Sequence, residues 1–228
     1  MIELVNELAP AVLATQEGLG HQLAELMEGL DERYALISQR RHDGRTEEHS
    51  AIIHDTTVVE PLEVEHRWLS DTPQVPGSVS WDHDLPRLAS LVRYRRLADG
   101  REFVLLATHF DHRSELARVR SAHQLVDRVA ALEPGLPVLV MGDFNADEES
   151  EPYAILTAGL RDSWLVADRP GPRLGTFNNY GDPDPDGRRI DWILVNDAVH
   201  VDAARTVEAT AGGRHPSDHL PIEAVVSF

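Results

Sequence analysis

A carboxylate and a carboxamide directly follow one of the most apolar runs of this chain. Residues 142–145 read Gly-Asp-Phe-Asn, and the apolar residues 136–141 before them predict a buried strand. Because residues two apart on a strand point to the same side, Asp143 and Asn145 are expected side by side where the strand ends. Hard oxygen groups of this kind suit a metal-assisted reaction.

A second motif near the C-terminus adds an imidazole. Residues 217–219 read Ser-Asp-His, and they precede another strand-like run, residues 220–226. Asp218 and His219 therefore also lie at the end of a predicted strand. Two strand ends that carry oxygen and imidazole groups are what a metal-assisted hydrolase requires.

Glu17 is a further candidate ligand. It lies just past a short apolar strand, residues 11–15. A carboxylate at the C-terminal end of a strand is a natural ligand for a hard cation. An acidic residue ahead of a helix is also a favourable charge for the helix dipole, so the residue alone leaves both interpretations open.

His109 ends the predicted strand 103–108 within the motif Thr-His-Phe-Asp-His, residues 108–112. A histidine there can hydrogen-bond a phosphate oxygen, donate to a leaving group or bind a metal. The alternative is a solvated histidine at the end of a strand, which is the favoured interpretation for His112.

Asp191 opens a strand-like run, residues 189–195, between apolar neighbours. Burying an ionised carboxylate there is costly without a partner. A histidine is a suitable partner, because Asp–His pairing orients the ring and raises its basicity. His219 is the best candidate, and an ion pair with Arg188 or Arg189 is the alternative.

Composition narrows the class of protein. The 228 residues are 42% hydrophobic, which is enough for a packed core, and none is cysteine, which excludes disulfides, thiolate zinc sites and cysteine nucleophiles. The net charge of -18 disfavours a long nucleic acid as substrate, since nucleic-acid affinity depends on phosphate neutralisation. No transmembrane segment or secretory signal is visible, so the default expectation is a cytoplasmic protein, and the sequence does not address its oligomeric state.

Predicted strands alternate with predicted helices at residues 19–30 and 114–132. Three strands are expected to form one meander: residues 34–38, 51–54 and 57–64. Two long irregular segments, residues 67–86 and 168–189, interrupt the pattern. Loops of this length inside a domain are more often functional than idle.

Taken together, the chain resembles the endonuclease/exonuclease/phosphatase superfamily, the deoxyribonuclease-like metal-dependent phosphoesterases. The matching pieces occur in the family's order: Gln16-Glu17 and residues 108–112, 142–145, 189–191 and 217–219. Further pieces resemble a bacterial subgroup of unassigned substrate: residues 68–73, 76–78 and 86–87, with Trp81.

The resemblance implies a four-layer α/β sandwich, in which two mixed β-sheets pack face to face with helices outside. It also implies a divalent-metal-dependent phosphoester hydrolase, either a phosphodiesterase or a phosphomonoesterase, that acts on a small or lipid-linked phosphoester. Glu17 would bind Mg²⁺ or Mn²⁺, and Asp218 would assist metal or phosphate binding.

The same resemblance implies roles for five other residues. Asp143 would orient or deprotonate the attacking water, with Asn145 holding that water or a phosphate oxygen. His219, held by Asp191, would contact the phosphoryl group or act as general base. His109 would stabilise charge on the phosphoryl oxygens.

One departure concerns the N-terminus. Family members begin with a strand that ends in Thr-x-Asn, and its asparagine joins the metal site. Here Met1 falls within the helix that follows that strand, and Asn6 lies in the helical stretch, where it cannot replace the missing residue. We interpret residues 1–228 as a single domain that is incomplete at its N-terminus.

Other classes stay open. A DNA or RNA endonuclease or exonuclease of the same fold, and a non-catalytic phosphate-binding module, are the alternatives within the fold. Residues 109–112 also resemble part of a metallo-β-lactamase signature, but Ala107 stands where its first histidine belongs. The Gly-Asn-His motif of binuclear metallophosphatases is absent from the sequence.

Overall fold

Strands and helices alternate along the chain as its apolar periodicity predicts. The computed structural model describes residues 1–42, 46–210 and 213–228, and the chain divides into two compact units, residues 1–117 and 118–228. The interpretation as a single domain stays a prediction. The elements of the first unit are α1 (Ile2–Leu8), β1 (Val12–Leu19), α2 (Gly20–Gly29), β2 (Tyr34–His42), β3 (Thr46–Asp55), β4 (Val59–Trp68), β5 (Leu88–Arg96) and β6 (Glu102–His109).

The first unit contains an antiparallel sheet in which β3 pairs with β1 on one side and β2 on the other. The central strand is the most buried, and Ala51, Ile52 and Ile53 are fully enclosed. Helix α2 packs Leu26 onto this sheet in a cluster that includes Ile53. The predicted helix 19–30 is confirmed as α2, within one residue at each end.

The predicted meander of three strands is wrong in its last member. Strand β4 does not extend the first sheet but pairs along its length with β5, which in turn pairs with β6. The turn after Asp55 is tight, since its carboxylate accepts hydrogen bonds from the amide and hydroxyl of Thr57. A tight turn fixes the local reversal of the chain, but burial against distant residues decides which sheet the next strand joins.

Strand β6 leads into the motif at residues 108–112. Residues 103–111 are continuously buried, so both faces of this strand are covered, as is typical of a strand in a sheet interior. The strand ends at His109.

Helix α3 (Glu115–Ala130) spans the division between the units. The remaining elements of the second unit are β7 (Val138–Asp143), α4 (Glu151–Thr157), β8 (Arg161–Asp162), α5 (Ser163–Val166), β9 (Arg169–Pro170), β10 (Asp191–Val195), β11 (His200–Thr206) and β12 (Ile222–Ser227). Among the described residues, no helix combines the length and apolar character needed to cross a membrane.

The second unit is organised around β10, which is buried at every position. It runs antiparallel to β7 on one side and to β8 on the other. Strand β11 pairs antiparallel with β12 and parallel with β9, which makes a mixed sheet. Phe144 and Trp192 stack with centroids 4.6 Å apart and an 18° angle between ring planes, which anchors the end of β7 to β10.

Two glycines of the first unit differ in the space around them, although both adopt a left-handed backbone conformation. Gly77 and Gly100 both have positive φ, 72° and 76°. A Cβ on Gly77 would lie 2.0 Å from the His42 ring, whereas a Cβ on Gly100 would meet no atom within 4 Å.

We therefore expect Gly100→Ala to lower the free energy of unfolding by about 1–2 kcal/mol, the cost of a left-handed L-residue, and Gly77→Ala to lower it by more. Urea denaturation of both variants measures the difference. Equal losses would show that the His42 ring moves aside without cost.

Candidate active site

Two carboxylates stand opposite each other where β7 and β10 pair. Asp143 and Asp191 are direct register partners, and both are buried, with 6% and 9% of their surface exposed. Like charges in directly opposed positions destabilise a sheet, and burial increases the cost. The pair therefore requires a positive group beside it.

His219 supplies that group. Its Nδ1–H donates to Asp191 Oδ2 at 2.8 Å, and its Nε2 lies 4.0 Å from Asp143 Oδ2. Burial by itself would lower the pKa of the imidazole, but the hydrogen bond and charge of Asp191, with the charges of Asp143 and Asp218, outweigh it and raise the pKa to about 9. At neutral pH the ring is an imidazolium whose Nδ1 is committed to Asp191.

Asn145 also holds the Asp143 carboxylate. Its backbone N–H donates to Asp143 Oδ1 at 2.7 Å, and its side-chain amide donates to Oδ2 at 3.3 Å. This closure requires Asn145 to adopt φ of 49°, a left-handed conformation that asparagine tolerates better than most residues. The sequence motif thus folds into a turn that fixes the orientation of the carboxylate.

Thr176, which no sequence motif indicated, positions the start of β10. Its hydroxyl oxygen accepts hydrogen bonds from the backbone N–H groups of Ile190 and Asp191, at 3.0 and 3.1 Å. Its carbonyl accepts from the N–H of Leu220 at 2.6 Å. One residue therefore links the Asp191 backbone to the segment that carries His219.

The residues after Thr176 hold the C-terminal motif. The N–H groups of Asn178 and Asn179 both donate to the Asp218 carbonyl at 3.0 Å. Phe177 packs its ring edge-on to His219, with centroids 5.1 Å apart. The only sequence signal for these residues was the irregular segment 168–189, which indicated a functional loop without naming its contacts.

Glu17 occupies a β-bulge in the first unit. Between the pairs Thr15–Ala51 and Gly18–His49, strand β1 has one residue more than β3. Glu17 takes φ of 62° there, and its side chain is 59% exposed. A non-glycine residue held in the left-handed region costs on the order of 1–3 kcal/mol, and such conformations concentrate at functional sites.

His109 lies beside Glu17 in the same unit. Its Nε2 is 3.9 Å from Glu17 Oε1, and the residue is only 4% exposed. On its other side, Arg41 contacts Nδ1 and also lies 3.9 Å from Glu17. Sequence reasoning missed Arg41, because the predicted strand ended at residue 38, whereas β2 continues to His42.

The predicted site residues thus form two groups, each within one unit. His109 lies with Glu17 in the first unit, and Asp143, Asn145, Asp191 and His219 lie together in the second. The ligand atoms of Asp143, Asp191 and His219 lie within 4.8 Å of one another, close enough for a metal ion. The raised pKa of His219 favours the protonated ring at neutral pH, and a protonated ring suits contact with an anion.

A mixed α/β fold that carries carboxylates and a cationic histidine at strand ends is suited to phosphoester chemistry. The chain belongs to the Endonuclease/Exonuclease/phosphatase family, whose model matches residues 1–219. Members of this family hydrolyse phosphoesters. The family predicted from the sequence motifs is confirmed.

Solved structures support the same assignment. A mannosyl-6-phosphatase of Bacteroides thetaiotaomicron is 33% identical, with a TM-score of 0.89 over 100% of this chain and 89% of that chain. A conserved protein of unknown function from Enterococcus faecalis is 28% identical, with a TM-score of 0.91 over 99% of this chain and 88% of that chain. D. rerio TDP2, solved in complex with a single-stranded DNA product, is 18% identical, with a TM-score of 0.76 over 99% of this chain and 89% of that chain. At this identity the similarity shows the fold alone. Comparison with curated proteins finds no match. The predicted fold class is confirmed, since the chain has the mixed α/β sandwich fold of these structures.

The charge state of His219 is directly measurable. In protein stripped of metal with EDTA, we expect the ring to be protonated at pH 7 and to lose its proton as the pH rises through about 9. Because the folded-state pKa is raised above 6.5, the pairing with Asp191 stabilises the fold fully below pH 6.5 and loses that effect as the pH rises through about 9. Asp191→Asn should move the midpoint down towards 6.5, its ordinary value.

An NMR titration of the histidine ring protons makes this measurement, with His66 as the internal control. Burial lowers the pKa of His66, and Asp191→Asn should leave that midpoint unchanged. A wild-type His219 midpoint near 6.5 would contradict the charge compensation described above.

Proposed function

We propose that this protein is a divalent-metal-dependent hydrolase of small phosphoesters, and that sugar phosphates are its best candidate substrates. The observation that carries the proposal is the pairing of Asp191 with His219 beside Asp143. The substrate class is supported by the 33% identity to a mannosyl-6-phosphatase over the whole of this chain.

In this proposal His219 binds the phosphoryl group. Asp191 accepts the Nδ1 proton, so the remaining N–H of the imidazolium, at Nε2, is directed away from Asp191. A cationic N–H donor stabilises the charge that develops on a phosphoryl oxygen in the transition state. The raised pKa of His219 argues against its use as the general base at neutral pH.

Asp143 then has the role of orienting the attacking water and accepting its proton. Its carboxylate is fixed by two hydrogen bonds from Asn145, which limits the directions in which it can accept another. A positioned acceptor lowers the entropic cost of bringing water to phosphorus. Thr176 contributes indirectly, because it holds the backbone of Asp191.

Glu17 and Asp218 are the proposed metal-binding residues. Both offer carboxylate oxygens, and the protein has no cysteine, so the donor chemistry fits Mg²⁺ or Mn²⁺. The strained bulge that presents the exposed Glu17 side chain supports the fit. When bound, such a cation would neutralise charge on the phosphoryl oxygens. His109 is proposed to stabilise charge on the phosphoryl oxygens of the substrate.

A substrate panel tests the proposal. We expect hydrolysis of mannose 6-phosphate or a small phosphodiester that stops in EDTA and returns with Mg²⁺ or Mn²⁺. Duplex plasmid DNA should be a poor substrate at physiological salt, because the net charge of -18 repels it.

Three other outcomes of the same panel would contradict the proposal. Full activity in rigorously metal-free protein would contradict the proposed metal dependence. Efficient, salt-sensitive cleavage of DNA would favour a nuclease. Phosphate binding without turnover of any substrate would favour a non-catalytic module.

The Asp191–His219 pair should act as a unit. Asp191→Asn is expected to lower kcat by roughly 100-fold or more, and Asp191→Asn with His219→Gln should cost little more than the worse single variant. Steady-state kinetics of the three variants, each checked for an intact fold by circular dichroism, measure this coupling. Fully additive losses would show that the two residues act independently.

A further inference from the structure

A guanidinium group lies at the Nδ1 atom of each histidine in residues 108–112. Arg41 Nη2 is 2.5 Å from Nδ1 of His109, and Arg87 Nη2 is 3.0 Å from Nδ1 of His112. Both arginines are buried, with 2% of their surface exposed. The same contact therefore occurs twice within the first unit.

The chemistry of arginine decides the direction of these hydrogen bonds. A guanidinium is always protonated in proteins and offers only donors, so the histidine nitrogen that faces it must accept. The lone pair of His109 is thus at Nδ1, and its ring proton is at Nε2. This is opposite to His219, whose Nδ1–H donates to the Asp191 carboxylate.

Arg41 is itself held from two further directions. Its Nη1 pairs with the Glu48 carboxylate, and its carbonyl accepts a hydrogen bond from the Trp68 indole at 2.8 Å. The residue lies at the register shift between β2 and β3, which breaks the regular pairing. A buried charge costs several kcal/mol unless it is paired and hydrogen-bonded, and here these contacts fix the guanidinium against His109.

The consequence falls on Nε2 of His109, the nitrogen 3.9 Å from the Glu17 carboxylate. A nitrogen that carries a proton donates hydrogen bonds and does not ligate metal. Of the three roles that the sequence left open for His109, metal ligation through this nitrogen is the one that the Arg41 contact disfavours.

We propose that Arg41 is a positioning residue that holds His109 in its Nε2–H tautomer, so that the ring donates a hydrogen bond to a phosphoryl oxygen of the substrate. Arg87 holds His112 in the same sense, which makes the exposed His112 a second N–H donor. The substrate contact rests on the proposed function, whereas the tautomer does not.

NMR of the full chain tests the tautomer without any substrate. Long-range ¹H–¹⁵N correlation spectra distinguish a protonated ring nitrogen from an unprotonated one, and His109→Gln identifies the His109 signals by their loss. We expect unprotonated Nδ1 and protonated Nε2 at His109 in the wild-type protein. A wild-type His109 ring protonated at Nδ1 would overturn the proposal.

Two variants separate Arg41 from its surroundings. Arg41→Met should release the tautomer of His109, giving a mixed or inverted pattern, while the His219 signals report that the fold is intact. Glu48→Gln removes the negative charge beside Arg41 Nη1 but keeps an oxygen that can accept its hydrogen bond, so the guanidinium stays in place and the His109 pattern should be unchanged. A pure Nε2–H pattern that persists in Arg41→Met would show that Arg41 does not set the tautomer.

Kinetics test the consequence for the reaction. Arg41→Met should lower kcat by roughly 10–100-fold, the range seen for residues that orient a functional side chain, with a smaller change in KM. Arg41→Lys, which restores a charged donor, should recover part of kcat. Arg33→Met removes an ion pair of the same unit, with Asp55, and serves as the control with unchanged kcat.

The outcomes are distinguishable. An unchanged kcat in Arg41→Met would refute the role of Arg41 in the reaction. If the wild-type protein hydrolyses no phosphoester, the proposed function fails, and the NMR spectra still decide whether Arg41 sets the tautomer of His109.

Discussion

The arrangement of the second unit depends on one electrostatic constraint, the opposition of two buried carboxylates. Asp143 and Asp191 face each other across a strand pair, and the imidazolium of His219 lies beside both. The contacts around them serve to keep that cation in place: Thr176 holds the Asp191 backbone, and Phe177 packs against the ring. A protein that needed only a stable sheet would gain more from apolar residues at these positions. The retained charges therefore indicate a function that uses them.

In the first unit, the ring of His109 is oriented by a group of the opposite charge. In the second unit a carboxylate accepts the Nδ1 proton of His219, whereas in the first a guanidinium donates to Nδ1 of His109. Each contact fixes which ring nitrogen faces outward and whether it carries a proton. In addition, Glu17 and Asn145 each adopt a left-handed backbone conformation, which is unfavourable for a residue other than glycine. Each group of site residues therefore contains one strained residue.

The sequence predicts the parts of this site whose causes are local. The strand before Asp143 and the apolar neighbours of Asp191 are visible as patterns, and the second of these implies a partner such as His219. Arg41 and Thr176 were not predicted, because their roles depend on contacts 68 and 15 residues away along the chain. The predicted meander was wrong for the same reason: β4 pairs with β5 and does not extend the sheet of β2 and β3, since strand partners are chosen by long-range burial.

The central claim is that the charged group around His219 hydrolyses phosphoesters, and Asp143→Asn tests it most directly. This substitution keeps the shape of the side chain but removes the proposed proton acceptor, which His219 approaches to 4.0 Å. With mannose 6-phosphate or whichever phosphoester is turned over best, and with Mg²⁺ present, we expect kcat/KM to fall by roughly 100-fold or more while the melting temperature stays within a few degrees of the wild type. A variant that keeps kcat/KM within about twofold of the wild type would contradict the account, because losses from a group that acts in the transition state are far larger.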